Sequence, residues 1–210
     1  MTPPGRFISL EGGEGTGKST QVRRLAAALG ERGIHAVVTR EPGGSEGAEA
    51  IRNLLMNGDI ARWSPHAEAL LFAAARADHV ERTIRPAIAA GEWIVADRFL
   101  DSSRAYQGAA GGIDDAAILA LHGFGSRGLL PDRTILLTLP DGSGEARANA
   151  RDGAANDRFA ARDPAFHAAV GDAFRRFAEA EPDRFRIVDA DGDEAQVTAR
   201  IVAALADLLP

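Results

Sequence analysis

A glycine-rich loop between an apolar run and an amphipathic stretch constrains this chain more than any other feature. Residues 12–19, GGEGTGKS, match the pattern G-x-x-x-x-G-K-[ST]. They follow residues 6–10 (RFISL), which predict a strand, and they open residues 19–29, which have helical periodicity. Because glycines let backbone N–H groups converge on phosphate oxygens, this order of elements predicts a loop that binds the phosphates of ATP or GTP.

The loop contains the only lysine of the chain, Lys18, whereas the other 23 of the 24 basic residues are arginines. A compact ammonium fits a loop that wraps a phosphate better than a planar guanidinium does. Lys18 is therefore expected to bind the β and γ phosphates, and Ser19 to offer its hydroxyl to Mg²⁺. A plain glycine-rich turn is the alternative. The predicted ATP-binding residues are Gly12, Gly13, Glu14, Gly15, Thr16, Gly17, Lys18, Ser19 and Thr20.

Glu14 is unexpected in such a loop, because an anion is locally unfavourable where phosphates bind. It either points to solvent or meets another group, such as a sugar hydroxyl or a Mg²⁺-bound water. The sequence by itself leaves both interpretations open.

Short apolar runs that alternate with helix-like segments predict the fold. The runs are residues 6–10, 34–39, 93–96, 134–139 and 185–188. Such alternation predicts an α/β fold, with a five-stranded parallel sheet covered by helices on both faces. A long helical stretch, residues 65–90, contains Pro86 as an expected kink. A chain of 210 residues without an inter-domain linker favours a single domain, residues 1–210.

Composition excludes several classes of protein. The net charge of −6 and the pI near 5.4 disfavour a protein that coats DNA or RNA. There is no cysteine, so neither a disulfide framework nor a thiolate metal site is expected. No apolar run approaches the length of a membrane span, and the first five residues lack the pattern of a signal peptide. We therefore expect a cytoplasmic protein that binds small nucleotides.

Charged residues follow two of the predicted strands. Asp97 and Arg98 come after residues 93–96, and Arg40 follows the second strand, so all three are expected at the carboxyl edge of the sheet. The carboxylate can hold Mg²⁺ through water, and a guanidinium can bind a phosphoryl oxygen. A structural Asp–Arg ion pair is the alternative. Two arginines near one lysine favour a kinase whose acceptor also carries a phosphate.

Two further stretches can contact a nucleoside. Phe72 and Arg76 lie four residues apart on a predicted helix, where an aromatic ring can stack on a base and a guanidinium can donate to its carbonyl. A core residue beside a surface residue is the more ordinary explanation of such a pair. Residues 102–108, SSRAYQG, form a polar cluster with Ser102, Tyr106 and Gln107. It either closes around a nucleoside or is a polar helix start with a core tyrosine.

Residues 140–162 combine turn formers with arginines and lack a strong apolar stripe. Either a solvated loop and helix or a mobile basic lid over a phosphate site fits this composition. The arginines are Arg147, Arg151, Arg158 and Arg162.

Together these motifs resemble the bacterial type of thymidylate kinase. The matching stretches are FISLEGGEGTGKST, VVTREPGGS, EALLFAAARADHV, IVADRFLDSSRAYQG, PDRTILLTL and a segment that ends in NDRF. The resemblance implies a P-loop NTPase fold, usually in a homodimer. It also implies transfer of the γ-phosphoryl of ATP to dTMP with Mg²⁺, which gives dTDP for dTTP synthesis.

The resemblance also implies roles for individual residues. Lys18 and the loop amides would hold ATP, and Ser19 with Asp97 would organise Mg²⁺. Arg40 and Arg98 would hold the phosphate of dTMP, while Glu14 would serve the 3′-hydroxyl side of the deoxyribose. The base and sugar would be contacted by Phe72, which stacks on thymine, by Arg76, which donates to O4, by Tyr106, which crowds the 2′ position, and by Ser102 and Gln107.

A lid arginine would supply the charge that this phosphate-binding loop lacks, with Arg151 the first choice and Arg147 and Arg158 behind it. Residues 157–160, DRFA, depart from the family pattern DR-x-Glu, and residues 141–145 are richer in glycine than a helical lead-in. Two alternatives stay open at this point. One is another nucleoside monophosphate kinase, acting on UMP or dUMP, and the other is a P-loop nucleotide switch without kinase activity.

Overall fold

The computed structural model describes residues 5–140, 159 and 162–210. Five parallel strands form one sheet in the order β2-β3-β1-β4-β5. The strands are β1 (Phe7–Glu11), β2 (Ala36–Arg40), β3 (Trp93–Asp97), β4 (Arg133–Thr138) and β5 (Phe185–Asp189). The predicted five-stranded parallel sheet is therefore confirmed, with β1 at its centre.

Helices connect the strands. They are α1 (Lys18–Gly30), α2 (Glu46–Met56), α3 (Pro65–His79), α4 (Arg85–Ala89), α5 (Leu100–Ser103), α6 (Asp115–Ser126), α7 (Pro164–Ala180) and α8 (Glu194–Ala204), with a 3₁₀ turn at Ile60–Arg62. Side-chain oxygens cap the first turns of α2, α3, α7 and α8, as the preference for Ser and Asp at this position predicts. These residues are Ser45, Ser64, Asp163 and Asp193.

The strand β1 supplies apolar side chains to both faces of the sheet. Ile8 and Leu10 pack in a cluster with α1 and α8, whereas Phe7 packs in a cluster with residues of α3 and α6. Successive side chains of a strand point to opposite faces, so this alternation requires cover on both sides. The helices on both faces confirm that part of the fold prediction.

The register brings the ends of β1, β2 and β3 to one edge. Asp97 pairs with Leu10 on one side and with Arg40 on the other. The order of strands reverses at β1, between β3 and β4, and ligands of open α/β sheets bind at such a point. The charged residues predicted at the carboxyl edge therefore lie beside the loop that leaves β1.

The long predicted helix over residues 65–90 is interrupted, but not at the residue that the sequence indicates. A π-helical turn, Val80–Ile84, separates α3 from α4. Pro86 lies in the first turn of α4, where a missing N–H costs no intrahelical hydrogen bond. A second π-helical segment, Arg104–Ala109, follows α5 and carries part of the candidate site. Neither segment has a signal in hydrophobic periodicity.

In the part of the chain that the structure describes, no helix has the length and apolar character needed to cross a membrane.

Candidate functional site

A cavity of about 330 Å³ opens at the carboxyl edge of the sheet, between the loop after β1 and helices α3 and α5. It brings together residues that the sequence places far apart. The predicted residues that line it are Glu14, Gly15, Gly17, Lys18, Ser19, Arg40, Phe72, Arg76, Asp97, Arg98, Ser102, Tyr106 and Gln107. The loop for one phosphate-bearing ligand and the aromatic pair for a base therefore share one space.

The glycine-rich loop has the backbone that its sequence predicts. Gly17 has φ 84°, and Gly12 has φ 143° with the carbonyl of Leu137 only 2.5 Å from where a Cβ would stand. A larger residue at Gly12 would both strain and clash. The chain then enters α1 at Lys18, so the amide-bearing end of that helix faces the cavity.

Lys18 folds back over its own loop. Its Nζ donates to the carbonyls of Gly12, at 3.1 Å, and Gly13, at 2.7 Å, and the side chain is buried. Burial and the nearby Arg98 cation lower the pKa of Lys18 to about 8. A buried ammonium with carbonyl partners is placed to bind an anion that enters the loop.

Ser19 and Asp97 meet in the lining of the cavity, where the Ser19 hydroxyl donates a 2.6 Å hydrogen bond to Asp97 Oδ2. Ser19 lies in the first turn of α1, and Asp97 lies at the end of β3, 78 residues away in sequence. A hydroxyl and a carboxylate offer the hard oxygen ligands that Mg²⁺ prefers. This pair therefore fits the predicted metal site.

Arg98 and Glu14 form an ion pair inside the cavity, with Nη2 2.6 Å from Oε1. The Tyr106 hydroxyl donates to the same oxygen at 3.0 Å, and the Arg98 guanidinium lies over the tyrosine ring. Burial alone would raise the pKa of Glu14, but the Arg98 and Lys18 cations lower it to about 2. Glu14 therefore stays ionised, and it faces the cavity rather than bulk solvent.

Arg76 is buried and held by side chains on two sides. Its Nε donates to Glu41 Oε2 at 2.7 Å, and its Nη2 donates to Ser103 Oγ at 2.8 Å. Glu41 also meets His79 Nδ1 at 3.1 Å, and the other ring nitrogen of His79 lies 2.7 Å from the Thr39 hydroxyl. The pKa of Glu41 is low despite its burial, because Arg76 and His79 face it.

Phe72 also lines the cavity. Its ring packs edge-on against Phe159, with centroids 5.6 Å apart, and Phe159 packs against Tyr106 at 6.2 Å. Phe159 belongs to the segment predicted as a lid. These three rings give the cavity an aromatic wall.

The comparison with known proteins identifies this arrangement. The family model described as "Thymidylate kinase" matches residues 10–201. The chain belongs to the thymidylate kinase family.

Relatives of the family resemble the chain over nearly its whole length. A protein of Rhizorhabdus wittichii named thymidylate kinase is 64% identical over 208 residues, which are 99% of this chain and 100% of that protein. One of Caulobacter vibrioides with the same name is 52% identical over 197 residues, 94% of each chain. The crystal structure of thymidylate kinase from Ehrlichia chaffeensis matches with a TM-score of 0.79 and 29% identity, covering 97% of this chain and 100% of that one. The resemblance in the motifs is thus confirmed, and with it the P-loop NTPase fold.

Two of the predicted binding residues contact other side chains of this family member. Gln107 is buried, and its amide donates to Glu68 Oε1 at 3.0 Å. Arg40 is half exposed and paired with Glu49 at 3.2 Å. Both still line the cavity, so their roles in binding stay predictions. The predicted loop residues Gly12, Gly13, Thr16 and Thr20 are not among the residues that line the cavity.

The lid arginines Arg147, Arg151 and Arg158 lie outside the described residues, so the predicted lid over residues 140–162 stays a prediction. Arg162, at its end, is described, and its Nη2 lies 3.9 Å from Glu68 Oε2. This ion pair connects the end of the predicted lid with α3, the helix that carries Phe72 and Arg76.

Several residues at this thymidylate kinase site were not predicted from the sequence. They are Glu11, Glu41 and Glu68. Ser103 lies within the predicted polar cluster of residues 102–108 and Phe159 within the predicted lid, although the sequence predicts no individual role for either. Glu11 and Glu41 had a usable signal, since both stand at or directly after the end of a parallel strand. Glu68 had none, because nothing local in sequence distinguishes it from an ordinary polar helix residue.

Proposed function

We propose that this protein transfers the γ-phosphoryl group of ATP to the phosphate of dTMP, giving ADP and dTDP for dTTP synthesis. The observation that carries the proposal is the single cavity in which the phosphate-binding loop, with Lys18, faces Phe72 and Arg76. A loop for ATP and a slot for a base in one space suit a reaction between two nucleotides. Membership of the thymidylate kinase family and the curated relatives of that name support thymidine as the nucleoside.

In this proposal, the residues of the chain contribute mainly by positioning the two nucleotides. Lys18 and the loop amides orient the phosphates of ATP, while Arg98 neutralises the acceptor phosphate close to them. The acceptor is already an anion at neutral pH, so no strong base is needed. Arg76 donates to the O4 carbonyl of thymine, and Phe72 stacks on the ring. Arg40 assists at the phosphate, and Tyr106 disfavours a 2′-hydroxyl.

Mg²⁺ is the proposed cofactor, held by the Ser19 hydroxyl with Asp97 behind it. A Mg²⁺ ion held there would supply positive charge that neutralises the charge developing during transfer. Arg151, outside the described residues, is the proposed source of further positive charge from the lid. We place the protein in the cytoplasm, and the absence of cysteine agrees with a reducing compartment.

We also propose a homodimer. Helices α2 and α6 both pack against α3, and we call the exposed apolar side chains of these three helices the three-helix surface. Its members are Leu54 on α2, Leu70 on α3, and Leu119 and Phe124 on α6. The side chain of Phe124 is 92% exposed, and so large an exposed ring points to a covering partner.

A coupled assay of ADP release with ATP and Mg²⁺ tests the function. dTMP should be turned over far faster than UMP, dUMP, dCMP, AMP or GMP. A UMP-type kinase would prefer the uracil nucleotides, and a nucleotide switch would hydrolyse ATP or GTP at a rate that no acceptor changes. Equal turnover of all acceptors would refute the proposal.

A further inference from the structure

Glu11 is a buried acid at the end of β1, and its carboxylate does not line the cavity. Burial and the neighbouring Asp101 carboxylate raise the pKa of Glu11 to about 7. The burial of a carboxyl group costs folding free energy unless hydrogen bonds compensate for the lost contact with water. At the end of the central strand, such a residue marks a place where the chain serves function over stability.

Among the described residues, the hydrogen bonds of the Glu11 carboxylate go to the turn that carries Arg98 and to the start of α5. Its Oε1 accepts from the backbone amides of Phe99, at 2.8 Å, and Ser102, at 3.3 Å. Its Oε2 accepts from the Ser102 hydroxyl at 2.6 Å. The same Ser102 oxygen accepts from Arg98 Nη1 at 3.1 Å. One carboxylate is thus joined to the guanidinium through a single hydroxyl.

The turn needs such support, because Arg98 has φ 69°, in the left-handed region that residues with a Cβ rarely adopt. Outside glycine, this backbone persists only where the surroundings hold it. Here the Arg98 amide donates to Leu10 at 3.0 Å, and the next amide is bound by Glu11. The left-handed turn directs the guanidinium back over the phosphate loop, where Nη1 also donates to the Gly12 carbonyl at 3.3 Å.

We propose that Glu11 and Ser102 are positioning residues that hold Arg98 against the acceptor phosphate, an inference that rests on the proposed function. It also changes the role expected for Ser102. The hydroxyl was predicted to contact the base, but it donates its hydrogen bond to Glu11 and accepts one from Arg98. The neighbouring Ser103 is the serine on the base side, because it accepts from Arg76.

The test compares two ligands that differ only in the phosphate, dTMP and thymidine, by isothermal titration or NMR titration. Ser102→Ala should weaken dTMP binding about 10- to 100-fold, the scale of one charge-assisted hydrogen bond, and leave thymidine binding within about twofold. The same variant should raise KM for dTMP and lower kcat while KM for ATP holds. Ser103→Ala is the matched control, and it should weaken both ligands by the same factor.

Glu11 is tested by a pair of variants. Glu11→Ala should repeat the selective loss of dTMP, whereas Glu11→Gln, whose carbonyl still accepts from the two amides, should keep dTMP affinity within about threefold of the native protein. If Glu11→Ala does not fold, Ser102→Ala decides. Equal weakening of dTMP and thymidine in Ser102→Ala, or no weakening of either, overturns the inference while the native activity stands. A native protein that binds dTMP no better than dCMP overturns the proposed function as well.

Discussion

Glu41 Oε2 accepts a hydrogen bond of 2.7 Å from Arg76 Nε, and each side chain is only 4% exposed. The pair joins the end of β2 to α3. Arg76 still lines the cavity, so the rest of its guanidinium group can contact a ligand. An arginine buried beside an aromatic wall would otherwise be an isolated charge. Its acidic partner therefore decides both whether the region folds and how Arg76 is presented.

We predict that Glu41→Ala lowers the free energy of unfolding by about 3–5 kcal/mol, because it leaves a buried guanidinium without its counter-ion. Urea unfolding followed by circular dichroism measures the loss. Glu81→Ala is the control, since Glu81 pairs with Arg127 in an exposed contact of 3.3 Å and its removal should cost less than about 1 kcal/mol. Equal losses in the two variants would show that burial of the Glu41 pair is not what matters.

The Ser19–Asp97 contact gives a prediction about metal dependence. Asp97→Asn should raise the Mg²⁺ concentration for half-maximal rate about tenfold or more, because an amide orients a metal ligand less well than a carboxylate. A magnesium titration of the initial rate at saturating ATP and dTMP checks this. Asp172→Asn, at an exposed position of α7, should leave the titration unchanged. A magnesium requirement unaltered by Asp97→Asn would remove Asp97 from the metal site.

Lys18→Arg keeps the charge of the phosphate loop and changes only its shape. The native Nζ lies within 3.1 Å of two loop carbonyls, a space too small for a planar guanidinium. We expect kcat/KM for ATP to fall roughly 100-fold or more. Arg32→Lys, an exposed substitution past the end of α1, is the reverse control and should be neutral. Near-normal activity of Lys18→Arg would refute the explanation of why this one lysine is retained.

The sequence predicts the sheet and the loop because their signals are local. Apolar runs mark the strands, and the spacing from Gly12 to Ser19 fixes a backbone conformation that needs no distant partner. The rule that ligands bind at the carboxyl edge then places Asp97 and Arg98 correctly beside that loop. Each of these steps uses only residues a few positions apart.

What the sequence does not give is the pairing that orients the site. Glu41 and Arg76 are 35 residues apart, and Glu11 and Ser102 are 91 apart. No period or motif joins such pairs, because they meet only after the strands have assembled. The same limit applies to Ser102, whose predicted contact with the base depends on its place in a polar cluster. The carboxylate that accepts a hydrogen bond from its hydroxyl is that of Glu11, at the end of β1.

His122 gives a prediction about pH. Its Nε2 lies 2.7 Å from the Leu129 carbonyl, and its Nδ1 is buried without a hydrogen-bond partner among the described residues. Burial and the nearby Arg76 cation lower the pKa of His122 to about 4, from the ordinary 6.5. Between these values the unfolded chain binds a proton that the folded protein does not. Stability should therefore fall as pH falls from about 6.5 toward 4.

The contribution of one such group is at most about 1.4 kcal/mol per pH unit. Urea unfolding of the native protein and of His122→Gln, at pH 7 and pH 5, measures it. The glutamine amide can still donate to the Leu129 carbonyl but does not titrate, so this variant should lose less stability between the two pH values. A native protein and a variant with the same pH dependence would show that His122 is not the group responsible.

Phe124 tests the proposed dimer. In a symmetric pair, one substitution removes the same ring from both sides of the contact, so its effect counts twice. Phe124→Ser should raise the dissociation constant of the dimer by at least about 30-fold, the effect of one central apolar anchor. Light scattering over a dilution series should then report a mass near 22.1 kDa where the native protein gives twice that value. Ile187→Ser is the matched control, because Ile187 is also exposed but lies on β5, an edge strand outside the three-helix surface. A native protein that is monomeric at every concentration, or a dimer that only Ile187→Ser dissociates, would refute this surface as the interface.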